Sequence, residues 1–165
     1  MSIQLLVTGG TIDKQYDEIN GTLVFSASHI PLMLQQARCQ AKVSIQNLFL
    51  KDSLEISSRD RQQILTSCQS SKYQQIIITH GTDTMPETAA LLGKEMDKAG
   101  NDKTIVLLGA MIPWQFKNSD ALFNLGCAIT AVQSLPPNIY LTMNGRIFNW
   151  NRVRKNKEKG IFNEI

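Results

Sequence analysis

Short apolar runs constrain this chain more than any other feature. They read IQLLVT (3–8), KVSIQNLFL (42–50), QIIIT (75–79), TIVLLG (104–109) and IYLTM (139–143). All are rich in Val, Ile and Leu, which favour strands. Near-continuous apolar runs, without alternation, suit a parallel sheet covered on both faces. Helical patterns lie between them. In SSRDRQQILTSC, Ser57 can cap a helix and Asp60 sits where a capping box needs it. Thr84 and Glu87 repeat that spacing, and Pro86 is acceptable in a first turn. Ala89, Leu92, Met96 and Ala99 then line one helical face. SDALFNLGCAITAVQ (119–133) is apolar almost all round, which predicts a deeply buried helix. Strand alternating with helix implies a β–α–β–α sheet.

Two segments break the alternation. TIDKQYDEINGTLVF (11–25) carries Asn20-Gly21, a hairpin turn signal, so a flap is expected after the first strand. MNGRIFNWNRVRKNKEKGIF (143–162) has turn signals at Asn144-Gly145 and Asn149–Asn151 and is otherwise irregular. No internal repeat, linker or low-complexity tract is evident, and 165 residues read as one domain. A chain of that size buries roughly 70% of its unfolded-state surface, enough for a core without staples.

Composition excludes several classes. A net charge of +3 is too mild to argue for nucleic acid or a membrane surface. No stretch approaches the roughly 18 apolar residues of a membrane span, and MSIQLLVTGG reads as a strand, not a signal peptide. Cys39, Cys68 and Cys127 show no CxxC spacing. Cys68 and Cys127 sit in apolar helical patterns and are expected to be buried free thiols, which suits a reducing compartment. A cytoplasmic protein is expected.

Strands of a parallel sheet run one way, so the loops after them share one edge, where ligands bind. Those loops are Thr8-Gly9-Gly10-Thr11, Lys51-Asp52-Ser53, His80-Gly81-Thr82-Asp83-Thr84 and Gly109-Ala110-Met111. Gly9, Gly10 and Gly81 permit backbone approaches that side chains would block. Free N–H groups near them suit an anion or a developing oxyanion. TGGTID is not GxGxxG, and neither GxxxxGK[ST] nor GxSxG occurs. His80 reads as a hydrogen-bonded strand-end residue and His29 as a loop or helix-start residue. Two separated histidines leave a metal unsupported. On the residues alone, HGTDT is either a polar turn or a hydroxyl set beside a carboxylate for acyl chemistry.

LLVTGGTID and ITHGTDTMPETA, with LLGAMIP and SDALFNL, resemble the bacterial-type L-asparaginases, in collinear order over almost the whole chain. The chain is most similar to short members that consist of the N-terminal domain only. The resemblance implies a Rossmann-like (flavodoxin-like) α/β fold: a mostly parallel sheet, helices on both faces, and an N-terminal hairpin flap. It implies hydrolysis of L-asparagine to L-aspartate and ammonia, without metal or cofactor, in a homo-oligomer. Thr11 corresponds to the nucleophile. Thr82 and Asp83 correspond to a second catalytic threonine and an aspartate that pairs with the substrate α-ammonium. Ser53 falls where the family binds the α-carboxylate, and Lys155, in RVRKN, where a lysine partners the second threonine. Tyr16 stands for the flap tyrosine, after a shorter loop than in typical members. Gly10, Asp52, Ser53, Gly81, Thr82, Asp83 and Ala110 are the substrate-binding candidates.

The chemistry agrees with those roles. An amide carbonyl is a poor electrophile and a neutral hydroxyl a poor nucleophile, so the reaction needs a base and oxyanion donors. A lysine serves as base only after losing a proton that an ordinary pKa of about 10.4 retains, and an adjacent aspartate opposes that loss. Without the resemblance, Lys155 is one charge in the run RVRKNKEK. Three departures from the family stand out. The chain ends at Ile165, so the C-terminal domain is expected to be missing. Leu54 stands where many members have Gln, and Ile112 where Arg is common. The rival readings are a non-catalytic module binding a small amino acid or nucleotide, and an amidase domain supplying ammonia to an amidotransferase.

Overall fold

The computed structural model describes residues 2–165. Its centre is a six-stranded sheet in the order β4-β1-β5-β6-β7-β8. The strands are β1 (Ser2–Gly9), β4 (Lys42–Lys51), β5 (Gln75–Thr79), β6 (Thr104–Leu108), β7 (Asn138–Met143) and β8 (Arg146–Asn149). The first five run parallel, with Ile3 opposite Gln75, Gln75 opposite Thr104 and Thr104 opposite Asn138. All five apolar runs therefore became strands of one sheet. Strand β8 adds antiparallel to β7, across a turn in which Asn144 and Gly145 both have positive φ.

Side chains alternate along each central strand and divide between two cores. Leu6, Ile76, Ile78, Leu107 and Leu141 face α2 (Ser58–Ser70) and α3 (Met85–Lys98). Leu5, Val7, Ile77, Val106 and Leu108 face α1 (Ile30–Gln36) and α4 (Ala121–Ser134). Burial on both faces explains why these strands read as unbroken apolar runs. Edge strand β4 departs from that expectation: it is half-covered and exposes Lys42, Ser44 and Gln46.

The Ser57–Asp60 capping box forms as the spacing predicts. The Thr84–Glu87 box does not. Thr84 precedes α3 without capping it, because its hydroxyl donates instead to Ser53 O at 2.8 Å. Ala89, Leu92 and Met96 are buried on α3, whereas Ala99 lies exposed past the helix end. Helix α4 is not deeply buried. Its Phe123 is 60% exposed, and Cys127 is only partly covered, because no element packs over that face among the described residues.

The expected flap is present as β2 (Gln15–Asp17) and β3 (Thr22–Val24), paired antiparallel across Asn20-Gly21. The C-terminal segment is more regular than its sequence suggests. Strands β9 (Val153–Asn156) and β10 (Ile161–Glu164) form a further hairpin. Val153 and Phe162 insert into the α2–α3 core. Trp150 packs on Gly93 of α3, where an added Cβ would lie 2.2 Å from the indole. A glycine inside a helix thus makes room for Trp150.

Candidate active site

Three loops meet backbone to backbone at the carboxyl edge of the sheet. Gly10 has φ 84° and ψ 176°, and its N–H donates to Lys51 O at 2.9 Å. A Cβ on Gly10 would lie 2.5 Å from Gly81 N, and one on Gly81 would lie 2.5 Å from Ser53 Cβ. Only glycine permits these approaches. The fourth loop packs on the third, with Gly109 against His80 O and the Thr82 methyl. Thr8 ties β1 to β5, its hydroxyl donating to Thr79 O at 2.5 Å. Gly10 and Gly81 each directly precede a threonine, so their contact brings Thr11 and Thr82 to one place.

Thr11 opens a single 3-10 turn, Thr11–Asp13. Thr82 is 5% exposed. The Lys155 ammonium donates to Thr82 Oγ1 and to Asp83 Oδ1, both at 2.7 Å. The Lys155 side chain is 8% exposed and that of Asp83 37%, so the lysine is enclosed while the carboxylate still meets solvent. Strand alternation explains the placement. Val153 points into the core, and two residues on Lys155 points the same way, while Arg154 faces out. Lys155 is therefore set apart from the solvated charges beside it. Ser53 is buried beneath Gly81, and Ala110 is fully buried.

His80 holds the loop rather than meeting solvent. Its Nδ1–H donates to Gly81 O at 2.8 Å, and Nε2 accepts from Thr88 Oγ1 at 2.8 Å. That tautomer follows because a carbonyl oxygen can only accept. Burial pushes the imidazole pKa down to about 4, so the ring is neutral near pH 7. His29 likewise marks a helix start, at the head of α1.

Four contributors had no role assigned from the sequence. Lys14 pairs with Asp52 across the first two loops, and this hydrogen bond, helped by the Leu54 amide, holds the Asp52 carboxyl below the usual carboxylate range. Met111 Sδ accepts from the Thr82 hydroxyl at 3.7 Å. Asp120 precedes α4 but accepts the Met111 and Ile112 amides, and Asn124 donates to Gly109 O at 3.0 Å, so the two fix the fourth loop. Asp120 lies in SDALFN, where its position suggests an ordinary helix cap. Tyr16 is not brought in with the others. It lies on the flap, 55% exposed, with its hydroxyl by Gly21.

The arrangement can present two hydroxyls, one held by an ammonium, between two oppositely charged pairs. Cavities also lie elsewhere. One of about 520 Å³ sits between Lys72, Lys103 and Pro137 at the opposite end of the strands. An apolar groove of about 550 Å³ runs between α4 and β8. Neither gathers hydroxyls and paired charges as the loop edge does. Among the described residues, no group of three or more His, Cys, Asp and Glu is placed to hold a metal, and no helix is long and apolar enough to cross a membrane.

Residues 2–162 match the family described as Asparaginase, N-terminal. An L-asparaginase of Thermococcus kodakarensis is 32% identical over 98% of this chain and 49% of its own length. L-asparaginase 1 of Escherichia coli is 29% identical over 97% of this chain and 49% of its own. The chain thus spans about half the length of these curated relatives. The solved Thermococcus structure superposes with a TM-score of 0.84, covering 100% of this chain and 51% of that one, at 32% identity. A structure described as a probable cytoplasmic L-asparaginase, from Campylobacter jejuni, gives 0.77 at 28% identity over 93% of this chain and 49% of that one.

Proposed function

This chain belongs to the asparaginase family, and on that premise we propose that it hydrolyses L-asparagine to L-aspartate and ammonia through a threonine nucleophile. The observation that supports the reading is the Gly10–Gly81 contact, which joins the loop carrying Thr11 to the loop whose Thr82 and Asp83 are held by Lys155. In the proposed reaction Thr11 Oγ1 attacks the side-chain amide carbon and its proton passes to the departing nitrogen. The C–N bond breaks, ammonia leaves, and a threonyl ester remains. Water then cleaves the ester, releasing L-aspartate and restoring the hydroxyl. Thr82 and Lys155 relay protons. Asp83 pairs with the α-ammonium and Ser53 receives the α-carboxylate. Gly10, Asp52, Gly81 and Ala110 line the substrate's seat, and Tyr16 reaches it when the flap folds over. Residues 1–165 act as the catalytic domain.

Two further proposals accompany this reading. The exposed apolar groove, with Phe123 60% and Ile147 49% exposed, supports assembly of copies into a homo-oligomer. The likeness to the Campylobacter protein supports a place in the cytoplasm.

The test is ammonia release by the purified chain from L-asparagine and L-glutamine. Asparagine is expected to be preferred. With Asp83 and Ser53 fixing the amino-acid end, one extra methylene moves the amide carbon off line, and small misplacements cost about 100-fold. Equal kcat/KM for the two would refute a seat of this kind. No release from either would refute the function.

A further inference from the structure

The 3-10 turn that carries Thr11 ends on a buried carboxylate, Asp13, which is 0% exposed. Its Oδ1 accepts the Ser28 hydroxyl at 3.0 Å and the His29 N–H at 2.8 Å. Its own N–H donates to Gly10 O at 3.1 Å. Residues 13 and 28–29 are the two points where the flap leaves and rejoins the body. Between them lies the β2–β3 hairpin, a sheet separate from the main one. One oxygen atom therefore closes the base of the flap and adjoins the nucleophile turn.

The surroundings extend this connection. His29 is 6% exposed and packs on Trp114, with ring centroids 5.3 Å apart. Gln115 Nε2 donates to His29 Nε2 at 2.9 Å, which places the ring proton on Nδ1. That Nδ1 stands 4.0 Å from Asp13 Oδ1 and has no hydrogen-bond partner among the described residues; nor has Asp13 Oδ2. The Trp114 backbone N–H donates to Ile12 O at 3.4 Å. The nucleophile turn, the flap base and the loop after β6 thus converge on Asp13 and His29. Burial raises the Asp13 pKa above the ordinary carboxylate value, despite the His29 amide and the Ser28 hydroxyl. A buried carboxyl with one oxygen unsatisfied is an expensive way to tie a loop. Its position explains it: among the described residues, no other side chain bonds both Ser28 and His29 from the turn's end.

We propose that Asp13 is a positioning residue, a clasp that closes the base of the flap and thereby fixes the turn presenting Thr11. The catalytic half of this proposal rests on the asparaginase reading; the structural half does not. The role comes from the geometry of Ser28 and His29.

Hydrogen exchange of the flap amides, residues 14–27, tests the clasp without any substrate. Asp13→Ala should exchange faster there than the wild type, with the strands of the main sheet unchanged. Asp13→Asn keeps the accepting oxygen and should restore slow exchange. In the same preparations, kcat for asparagine should fall about 100-fold in Asp13→Ala through misplacement of Thr11, with little change in KM, and recover in Asp13→Asn. Ser28→Ala removes one donor from the surface side and should loosen the same amides to a lesser degree, which keeps the test open if Asp13→Ala does not fold. Wild-type flap exchange in folded Asp13→Ala, or in Ser28→Ala where the former fails to fold, overturns the proposal. So does faster exchange spread over the whole sheet, and so does a loosened flap with unchanged kcat. A wild type inactive on asparagine would sink the functional reading, and flap exchange alone would then decide the clasp.

Discussion

Replacing Lys155 by methionine separates catalysis from stability. The ammonium donates to Thr82 and Asp83 at 2.7 Å each, from a side chain 8% exposed. Methionine keeps most of the stem and its packing beside Val153. Removing one member of a fully buried pair costs about 3–5 kcal/mol. Here the stranded partner, Asp83, is 37% exposed and stays hydrated, so the loss should be nearer the 1 kcal/mol of a surface pair. The kinetic loss should be far larger. A positioned proton-transfer group contributes about 10²–10⁴ in rate, or roughly 3–5 kcal/mol of barrier. Lys155→Arg preserves the charge but cannot surrender a proton near neutrality, so it should fail as well. Lys157→Met, in the exposed part of the same run, is the control. Steady-state ammonia release and thermal unfolding are measured on all three. A folded Lys155→Met enzyme turning over within about threefold of the wild type would remove this lysine from proton transfer.

His80 makes stability depend on pH. Its folded-state pKa is about 4, against 6.5 for the free side chain. Between those values the unfolded chain binds a proton that the native state refuses. Stability should therefore be intact above pH 6.5 and fall as pH drops towards 4, by up to roughly 3 kcal/mol; urea melts of wild type and His80→Gln check this, and equal slopes would contradict it. Gly93→Ala gains about 1 kcal/mol of helix propensity, but its Cβ would meet Trp150 at 2.2 Å. Overpacking of about 1–3 kcal/mol should win and shift the segment carrying Lys155; a lower Tm, altered Trp150 fluorescence and reduced turnover are expected, and a stabilised, fully active variant would contradict this seating.

The central strands were legible because they are buried on both faces, which leaves no polar alternation to obscure them. The C-terminal strands were not. In β8, RIFN, one residue of four is buried, so its pattern resembles a loop, and its stability comes from pairing with β7. Thr84 illustrates a different failure. Its spacing to Glu87 satisfies a local rule, yet a tertiary partner, Ser53 O, takes the hydroxyl. For helix α4, composition could not distinguish burial from an apolar face left uncovered. At the site, the glycines flag the close approaches, because φ and contact geometry demand them. Thr11, Thr82, Asp83 and Ser53 follow from loops at one sheet edge together with the family resemblance. Lys155 came from the resemblance alone, although the spacing of Val153 and Lys155 carries the physical signal. Lys14, Met111 and Asp120 look like ordinary surface or cap residues until the loops are brought together in space.

The most direct test of the central claim is chemical trapping of the acyl intermediate. The protein is mixed with L-asparagine, quenched in acid within one turnover, digested, and searched by mass spectrometry for an aspartyl ester. The account predicts the ester on the peptide containing Thr11, its absence in Thr11→Val, and little or none on the peptide containing Thr82. An ester on Thr82, or undiminished release of L-aspartate and ammonia by a folded Thr11→Val variant, would contradict it.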